Sequence, residues 1–362
     1  MAQAKPTGDD DALAQLAGRI RDAAAAGEAL AIRGGGSKEF LGHAVRGAKL
    51  GTDHCRGIVA HEPSELVITA RAGTPLAEVE AALAAEGQML PFEPPRLAPA
   101  STLGGTVAAG LSGPARPFRG ALRDYVLGCR VLDGRGQALA FGGRVMKNVA
   151  GYDVSRLLAG SMGCLALLTE VSLKVLPAPP VTITLARECD EADAIRQMCR
   201  LAAQPLPLSA ASYGDGVLRL RLSGAAGAVA AARHDIERSL GGEESDAGHW
   251  EALRDQRTGI FATPLPLWRL SVPAATPPLA LPGRQLIDWA GAQRWIATEA
   301  DAATVRAAAT TAGGHATRYR GGDDAVPAFH PLPDALLALH RRLKAALDPA
   351  GVFNPGRMYK AL

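Results

Sequence analysis

The chain has 362 residues, of which 48% are hydrophobic, and a formal net charge of +3 at pH 7. This length is sufficient for two domains and a sizeable core. The small net charge and the absence of a lysine or arginine block disfavour nucleic-acid binding, and no run of about 18 apolar residues predicts a membrane span.

The N-terminus and the cysteines indicate the compartment. The acidic run at residues 9–11 lies where a secretory signal peptide would need an apolar core. The cysteines are odd in number, scattered and without CxxC spacing, which argues against a disulfide framework and against an iron–sulfur or zinc site. They are Cys55, Cys129, Cys164, Cys189 and Cys199. We therefore expect a cytoplasmic globular protein without a bound metal.

The first elements in the chain are a helix, a short strand and a second helix. Residues 11–26 carry an alanine-rich face and predict a helix that ends at Gly27, and residues 30–32 predict a strand. Further on, Thr74 is a suitable N-cap for a helix that has Pro75 at its first position. The buried face of this helix is predicted to consist of Leu76, Val79 and Leu83.

A hairpin and a single strand follow in the first half of the chain. Residues 125–143 predict a β-hairpin whose turn is Asp133–Gly134. In residues 169–177 apolar and polar side chains alternate, which predicts a half-buried strand. The proline cluster at 176–180 predicts a domain boundary. Beyond it, alternating strand and helix patterns predict an antiparallel sheet covered by helices, and a last helix is predicted near residues 333–346.

Three glycine-rich segments lack an ordinary element pattern. In the first, RGGGSK at residues 33–38, the order Ser37–Lys38 does not fit a nucleoside-triphosphate P-loop, and Glu39 stands where a GxGxxG fingerprint needs glycine. Two interpretations remain for it, a pyrophosphate loop built from backbone N–H groups and a plain tight turn.

The second segment, residues 99–117, is either a close-packed wall along an extended ligand or a buried crossover of small residues. The third, residues 147–171, places a GSMG turn before an apolar strand. Three such segments in one domain favour a long ligand with phosphates in its middle and an aromatic system at one end. A flavin dinucleotide fits that description.

Taken together, several motifs resemble the vanillyl-alcohol oxidase type of flavoprotein, and in particular the FAD-binding E subunits of bacterial glycolate oxidase. They are IRGGGSK, STLGGTVAAGLSGP, GALRDYVLG, KNVAGYD, GSMGCLALLTEVSLKVLP and DPAGVFNPGRMY. The resemblance implies an α+β protein with a PCMH-type FAD-binding domain of two α/β subdomains over residues 1–177. It further implies a reduced antiparallel-sheet cap domain over 178–330 and a C-terminal segment, 331–362, that packs back on the flavin domain.

The resemblance also implies FAD contacts for small or hydrogen-bonding residues in these segments. Around the pyrophosphate these are Arg33, Gly34, Gly35, Gly36, Ser37 and Lys38, and along the pyrophosphate and ribityl chain they are Ser101, Thr102, Gly104 and Gly105. Nearer the isoalloxazine they are Gly110, Ser112 and Gly113. At the adenosine half they are Gly160, Ser161, Gly163 and Leu167, and the C-terminal segment adds Asn354 and Arg357. Many relatives attach the flavin through a histidine at or near the position of Ser37. A serine cannot form that bond, so we predict non-covalent FAD.

Catalytic residues are harder to assign. Flavin oxidation of a 2-hydroxy acid needs a base and cationic groups for the carboxylate. The larger catalytic relatives have paired histidines in an HxHxxD-like stretch, and this chain has no such pair. The remaining candidates are few, and each has a structural alternative. One group is His315 with Thr317 and Tyr319 on one strand face, and another is Lys147, Asn148, Tyr152 and Asp153, of which Asp153 is more simply a helix cap. The last two are Arg116 and Arg119, which would meet either a substrate carboxylate or a partner subunit. His330 and His340 stand apart. No catalytic residue and no metal site is assigned.

Two functions follow from these observations. In the first, the chain is an FAD-binding subunit of a complex that oxidises glycolate, a small 2-hydroxy acid, to glyoxylate. Its partners would be a larger FAD-containing catalytic subunit and an iron–sulfur subunit, in the cytoplasm or at the inner face of the cell membrane. In the second, it is a self-sufficient flavin oxidoreductase for another alcohol, 2-hydroxy acid or lactone. The missing histidine pair favours the first, and the intact glycine segments disfavour a vestigial flavin site.

Overall fold

The computed structural model describes residues 8–143 and 153–362. Its strands are β1 (Leu30–Arg33), β2 (Ala48–Gly51), β3 (Ile58–Glu62), β4 (Val67–Arg71), β5 (Gln88–Met89), β6 (Val126–Leu132), β7 (Ala138–Gly142), β8 (Leu167–Lys174), β9 (Leu176–Pro177), β10 (Val181–Glu188), β11 (Leu208–Gly214), β12 (Val217–Gly224), β13 (Glu243–Glu244), β14 (Leu267–Ser271), β15 (Arg284–Asp288), β16 (Gln293–Ala297) and β17 (His315–Arg320).

The α-helices of the same residues are α1 (Gly8–Ala26), α2 (Leu76–Ala85), α3 (Leu103–Ala109), α4 (Arg116–Arg119), α5 (Leu122–Tyr125), α6 (Val154–Leu158), α7 (Glu191–Ala202), α8 (Ala226–Leu240), α9 (Gly248–Arg254), α10 (Ala302–Thr311) and α11 (Asp334–Leu347). The predicted α+β class is confirmed, because these helices lie against mainly antiparallel sheets. No described helix has both the length and the apolar character needed to cross a membrane.

The first half of the chain is built on a five-stranded antiparallel sheet in the order β3-β4-β8-β6-β7. As predicted, Leu76, Val79 and Leu83 form the buried face of α2, and they pack with α3 and this sheet into one apolar core. A separate parallel pair, β1 and β2, packs against α1 in a smaller core. Because α3 packs on this sheet, the sheet fixes the position of the residues directly before and after α3.

Three local predictions in this half are wrong. Thr74 does not cap α2, because Pro75 takes the N-cap position and the Thr74 hydroxyl pairs with the backbone of Gly57. The hairpin of β6 and β7 forms, but its turn is longer than Asp133–Gly134. The Asp133 carboxylate accepts hydrogen bonds from the backbone N–H groups of residues 135 and 137, and Gly136 takes the left-handed conformation (φ +71°).

The third wrong prediction is the half-buried strand. In β8 seven of the eight residues are buried, because the strand lies in the middle of the sheet between β4 and β6. Its polar residues have partners on the neighbouring strands, which makes their burial tolerable. The Ser172 hydroxyl lies 2.8 Å from that of Thr69, and Glu170 lies 3.5 Å from both Arg71 and Arg130.

An eight-stranded sheet forms the second half, in the order β13-β10-β12-β11-β15-β16-β14-β17. One face is covered by helices, with α7 and α8 on the part around β12 and α10 on the part around β14. On the other face the register places Arg269 of β14 opposite Trp295 and Thr317. That face packs on Leu41, Leu111 and Met162 of the first half. The chain passes from one sheet to the other between β9 and β10, and the domain limits at 177 and 330 stay a prediction.

The residues after α11 return to the first half of the molecule. A buried ion pair, Lys344 with Asp348 at 2.7 Å, is the centre of this return. The Lys344 ammonium also donates to the carbonyl oxygens of Cys164 (2.8 Å) and Phe353 (2.6 Å), and the Asp348 carboxylate accepts from the N–H groups of Val352 and Phe353. The segment then runs alongside β1 as a parallel bridge between Phe353 and Leu30.

We expect Asp348→Asn to destabilise the protein, because it leaves the buried Lys344 ammonium without its counter-charge. Breaking a buried pair from one side costs about 3–5 kcal/mol. Urea unfolding of the variant measures this loss as a lower midpoint. The matched control is Asp334→Asn, at the exposed start of α11, for which we expect a loss below about 1 kcal/mol. Equal midpoints for the two variants would contradict the role given to the pair.

Candidate functional site

A cavity of about 400 Å³ lies between four segments of the first half and the C-terminal return. The segments are the loop after β1, the start of β2, the helix α3 and the turn at residues 160–163. This volume is in the usual range for a cofactor pocket. The cavity is therefore our candidate site.

Most of the residues expected at a cofactor line this cavity. They are Arg33, Gly34, Gly35, Gly36, Ser37, Lys38, Thr102, Gly104, Gly105, Ser161, Gly163, Leu167, Asn354 and Arg357. Ser101 lies next to it, since its hydroxyl donates to the Ser37 hydroxyl at 3.0 Å. The structure thus brings together residues that are more than 300 positions apart in the chain.

Four expected residues are not part of the lining, and each has a structural explanation. Gly110 and Gly160 touch each other, since a Cβ on Gly110 would lie 2.8 Å from the Cα of Gly160. The Ser112 hydroxyl accepts a hydrogen bond from the N–H of Leu122, and the carbonyl of Gly113 accepts one from the indole of Trp289. Contact of these four with a flavin stays a prediction.

The first two residues of the triple glycine, Gly34 and Gly35, have no room for a side chain, because the first glycine-rich segment lies close against the second. An added Cβ on Gly34 would lie 2.4 Å from the Thr102 hydroxyl, and one on Gly35 would lie 1.4 Å from the carbonyl oxygen of Ala100. Gly36 has φ +71°, a conformation that favours glycine. The first glycine-rich segment therefore packs on the second, and the pair forms a wall of the cavity with no bulky side chains.

Lys38 is the buried cation of the site. Only 8% of its surface is exposed, and its ammonium donates to the Ser37 hydroxyl at 3.3 Å. Burial lowers the pKa of Lys38 to about 8. Among the residues that the structure describes, no carboxylate forms an ion pair with it, whereas the neighbouring Arg33 is paired with Glu39. A buried ammonium without a counter-charge is suited to bind an anionic ligand.

Asn354 joins three segments at the end of the cavity. Its amide oxygen accepts from the N–H of Ile32 at 2.8 Å, and its amide nitrogen donates to the carbonyl of Met162 at 2.7 Å. Asn354 is 2% exposed and has φ +40°. Its side chain therefore holds β1, the 160–163 turn and the C-terminal return together. Arg357 donates to the carbonyl of Lys38 at 3.1 Å, and burial lowers the pKa of Arg357.

The other sequence candidates lie elsewhere. His315 is exposed at the start of β17, Arg116 stacks over Trp289 at 4.3 Å, and Arg119 donates to the sulfur of Met89. Asp153 caps α6, as predicted, by accepting from the N–H of Arg156. Three candidates, Lys147, Asn148 and Tyr152, lie outside the described residues. Within residues 8–143 and 153–362 no three His, Cys, Asp or Glu side chains are grouped to hold a metal.

Sequence reasoning missed other parts of the lining and a second cavity. Ala72, Ala108, Ala109 and Ala166 complete the walls of the main cavity, and small residues next to glycine-rich segments were the available signal. The second cavity, of about 20 Å³, lies beside Ser112 and Gly113 against the eight-stranded sheet. No motif in the sequence indicated it.

Comparison with known proteins relates this geometry to a cofactor. Residues 11–142 match the FAD binding domain family, and residues 332–358 match the C-terminal domain of FAD linked oxidases. The chain is 51% identical over 333 residues to the glycolate oxidase subunit GlcE of Escherichia coli, which covers 92% of this chain and 93% of that protein. It is 31% identical over 156 residues to the glycolate oxidase subunit GlcD of Bacillus subtilis, covering 42% of this chain and 33% of that protein.

Among solved structures, an alkyldihydroxyacetonephosphate synthase superposes with a TM-score of 0.66 at 15% identity and covers 94% of this chain and 74% of that one. At this identity the likeness concerns the fold alone. The predicted resemblance is confirmed: the chain has the fold of FAD-linked oxidases, its cofactor is FAD, and it is an FAD-dependent oxidoreductase. The residues of the cavity fit this cofactor, with a bare backbone wall and an unpaired buried ammonium.

We expect Gly35→Ala to weaken FAD retention, because the added methyl group would collide with the Ala100 carbonyl and push the two segments apart. The strain costs about 1–3 kcal/mol. The flavin-to-protein ratio after gel filtration, together with thermal unfolding, measures both effects. Gly227→Ala is the matched control, since nothing lies within 4 Å of its added Cβ on α8. Normal FAD retention by Gly35→Ala would show that the segments do not need this close contact.

Proposed function

This chain belongs to the family of the glycolate oxidase subunit GlcE, and we propose that it is the FAD-binding subunit of a multi-subunit glycolate oxidase. In this proposal the complex oxidises glycolate to glyoxylate. The partners are a larger flavoprotein subunit and an iron–sulfur subunit, in the cytoplasm or at the inner face of the cell membrane.

The main cavity is the observation that carries the proposal. We assign its glycine wall and the Ser37 and Ser101 hydroxyls to the pyrophosphate of FAD, because these groups offer donors without bulk. Lys38, buried beside the Ser37 hydroxyl, supplies the counter-charge. Asn354 holds the walls at a fixed separation. When bound, FAD accepts the electrons removed from the substrate.

Purification from the native host tests the proposal. We expect the tagged chain to retain FAD and to co-purify with a second flavoprotein and an iron–sulfur protein, and glycolate to bleach the flavin of this complex. Prompt bleaching of the isolated chain by glycolate would instead favour a self-sufficient oxidoreductase. Purification of the intact chain without FAD would refute the proposed function.

We expect the FAD to be released by denaturation, because Ser37 offers no imidazole for a covalent bond to the flavin. Acid precipitation of the FAD-loaded protein should leave the yellow colour in the supernatant, where chromatography identifies intact FAD. A yellow pellet after repeated washing would contradict non-covalent binding.

We expect Lys38→Met to weaken FAD binding by roughly 10- to 100-fold, because a charge-assisted hydrogen bond is worth about 1.5–3 kcal/mol. In the wild type the affinity should be constant at low pH and fall as the pH rises above about 8, where the free protein loses the Lys38 charge. In Lys38→Met this pH dependence should disappear. Fluorescence titration of the apoprotein with FAD measures both.

Lys49→Met provides the control, because Lys49 lines the same cavity but is exposed. It should keep the pH profile of the wild type. An unchanged profile in Lys38→Met would mean that another group carries the pH dependence.

A further inference from the structure

We propose that the second cavity is a binding site for the carboxylate of a small hydroxy acid, with Arg269 as its anchor. The inference rests on the proposed function and deepens it, since it assigns to this chain its own residues for a substrate-like acid. The site lies on the face of the eight-stranded sheet opposite to α7, α8 and α10, where Leu253 and Arg254 of α9 also line the cavity. Three groups of observations support it: two unpaired polar side chains, the chemistry of the other lining groups, and the position beside the FAD cavity.

Arg269 is a half-buried cation without an ion-pair partner among the described residues. It lies on β14 between β16 and β17 and lines the cavity. Among the described residues its guanidinium forms no hydrogen bond and no ion pair; its contact is the ring of Tyr319, 5.6 Å from Cζ. Burial and the nearby Arg116 lower the pKa of Arg269. Desolvating a charge in this way is costly unless an anion compensates it.

Gln293 is a second unpaired polar group in the same cavity. It is 3% exposed, on β16 opposite Asp288, and its side-chain amide has no hydrogen bond within the part of the chain that the structure describes. Buried amides are normally satisfied. Because both Arg269 and Gln293 line one cavity, a single ligand that accepts hydrogen bonds would satisfy both.

A carboxylate with a neighbouring hydroxyl matches the lining best. The guanidinium fork is suited to a carboxylate. The Tyr319 hydroxyl accepts from the Gln256 amide, which leaves its own proton to donate. The Asp288 carboxyl uses one oxygen for the N–H of Trp289, and burial raises its pKa to about 7. The second carboxyl oxygen of Asp288 is left to accept a hydrogen bond from a substrate hydroxyl, which a simple carboxylic acid lacks.

The volume of the cavity restricts the ligand. About 20 Å³ is the space of a single water molecule. A two-carbon acid is larger than this space and needs an outward movement of the lining, and each further carbon needs more. This size favours glycolate over longer 2-hydroxy acids.

The position connects this site with the FAD cavity. Leu41 and Met162 line the main cavity, and they belong to the same apolar cluster as Trp295 and Tyr319, which line the second one. Leu111, at the second cavity, follows the C-cap Gly110 of α3, whose Ala108 and Ala109 line the first. An acid at Arg269 would thus be separated from the FAD cavity by a thin layer of side chains.

Isothermal titration of the FAD-loaded chain with glycolate, at constant ionic strength, tests the inference. We expect saturable binding, weaker binding of lactate, and a change in tryptophan fluorescence because Trp295 lines the cavity. Arg269→Met should weaken glycolate binding at least tenfold, and Arg269→Lys, which keeps the charge without the fork, should weaken it less. FAD content should be unchanged in both. Arg284→Met, which removes an exposed arginine paired with Asp215, should bind glycolate as the wild type does.

Several outcomes would overturn the inference. The first is that the FAD-loaded wild type shows no saturable glycolate binding. The second is that Arg269→Met binds glycolate as tightly as the wild type does, and the third is that Arg284→Met loses as much glycolate affinity as Arg269→Met. The first of these would identify the cavity as a water site. If Arg269→Met does not fold, Arg269→Lys and Gln293→Leu decide the question, since each should weaken glycolate binding. Retention of FAD in all these cases would leave the proposed function standing, whereas loss of FAD from the wild type would refute that function.

Discussion

The buried pair of Lys344 and Asp348 is the constraint on which the candidate site depends. One ammonium group binds a carboxylate on its own helix end, a carbonyl after the 160–163 turn and a carbonyl of the C-terminal return. Asn354, six residues beyond Asp348, then bonds to β1 and to the same turn. The width of the cavity is therefore fixed by polar contacts with defined geometry, and the flavin loops themselves need few side chains.

The two halves of the molecule contribute different chemistry to their common face. The first half offers glycine and alanine, whose small size admits a large cofactor close to the backbone. The eight-stranded sheet offers arginine, glutamine, tyrosine and tryptophan on strands, which are more rigid supports than loops. The open cavity for the cofactor and the fixed polar groups of the sheet therefore lie on opposite sides of the apolar cluster that contains Leu111 and Met162.

The sequence was sufficient for the fold class, most elements and the three cavity segments, because glycine runs and apolar periodicity are local signals. It was insufficient where contacts between distant parts of the chain determine the structure. Strand β11 has no local pattern that predicts it, because apolar and polar residues do not alternate in LSAASYG. Its small side chains are buried between β12 and β15. Arg269 is not among the site candidates that the sequence indicates. Its lack of a partner is visible only once the sheet register and the neighbouring segment are known.

The Ile32–Asn354 hydrogen bond joins residues 322 positions apart. A chain emerging from the ribosome contains the glycine loop early but lacks the opposite wall until 322 further residues have been made. The compartment for the nucleotide is thus closed by a segment made long after the loop. A fragment that stops before Asn354 has no means of closing that compartment in this way.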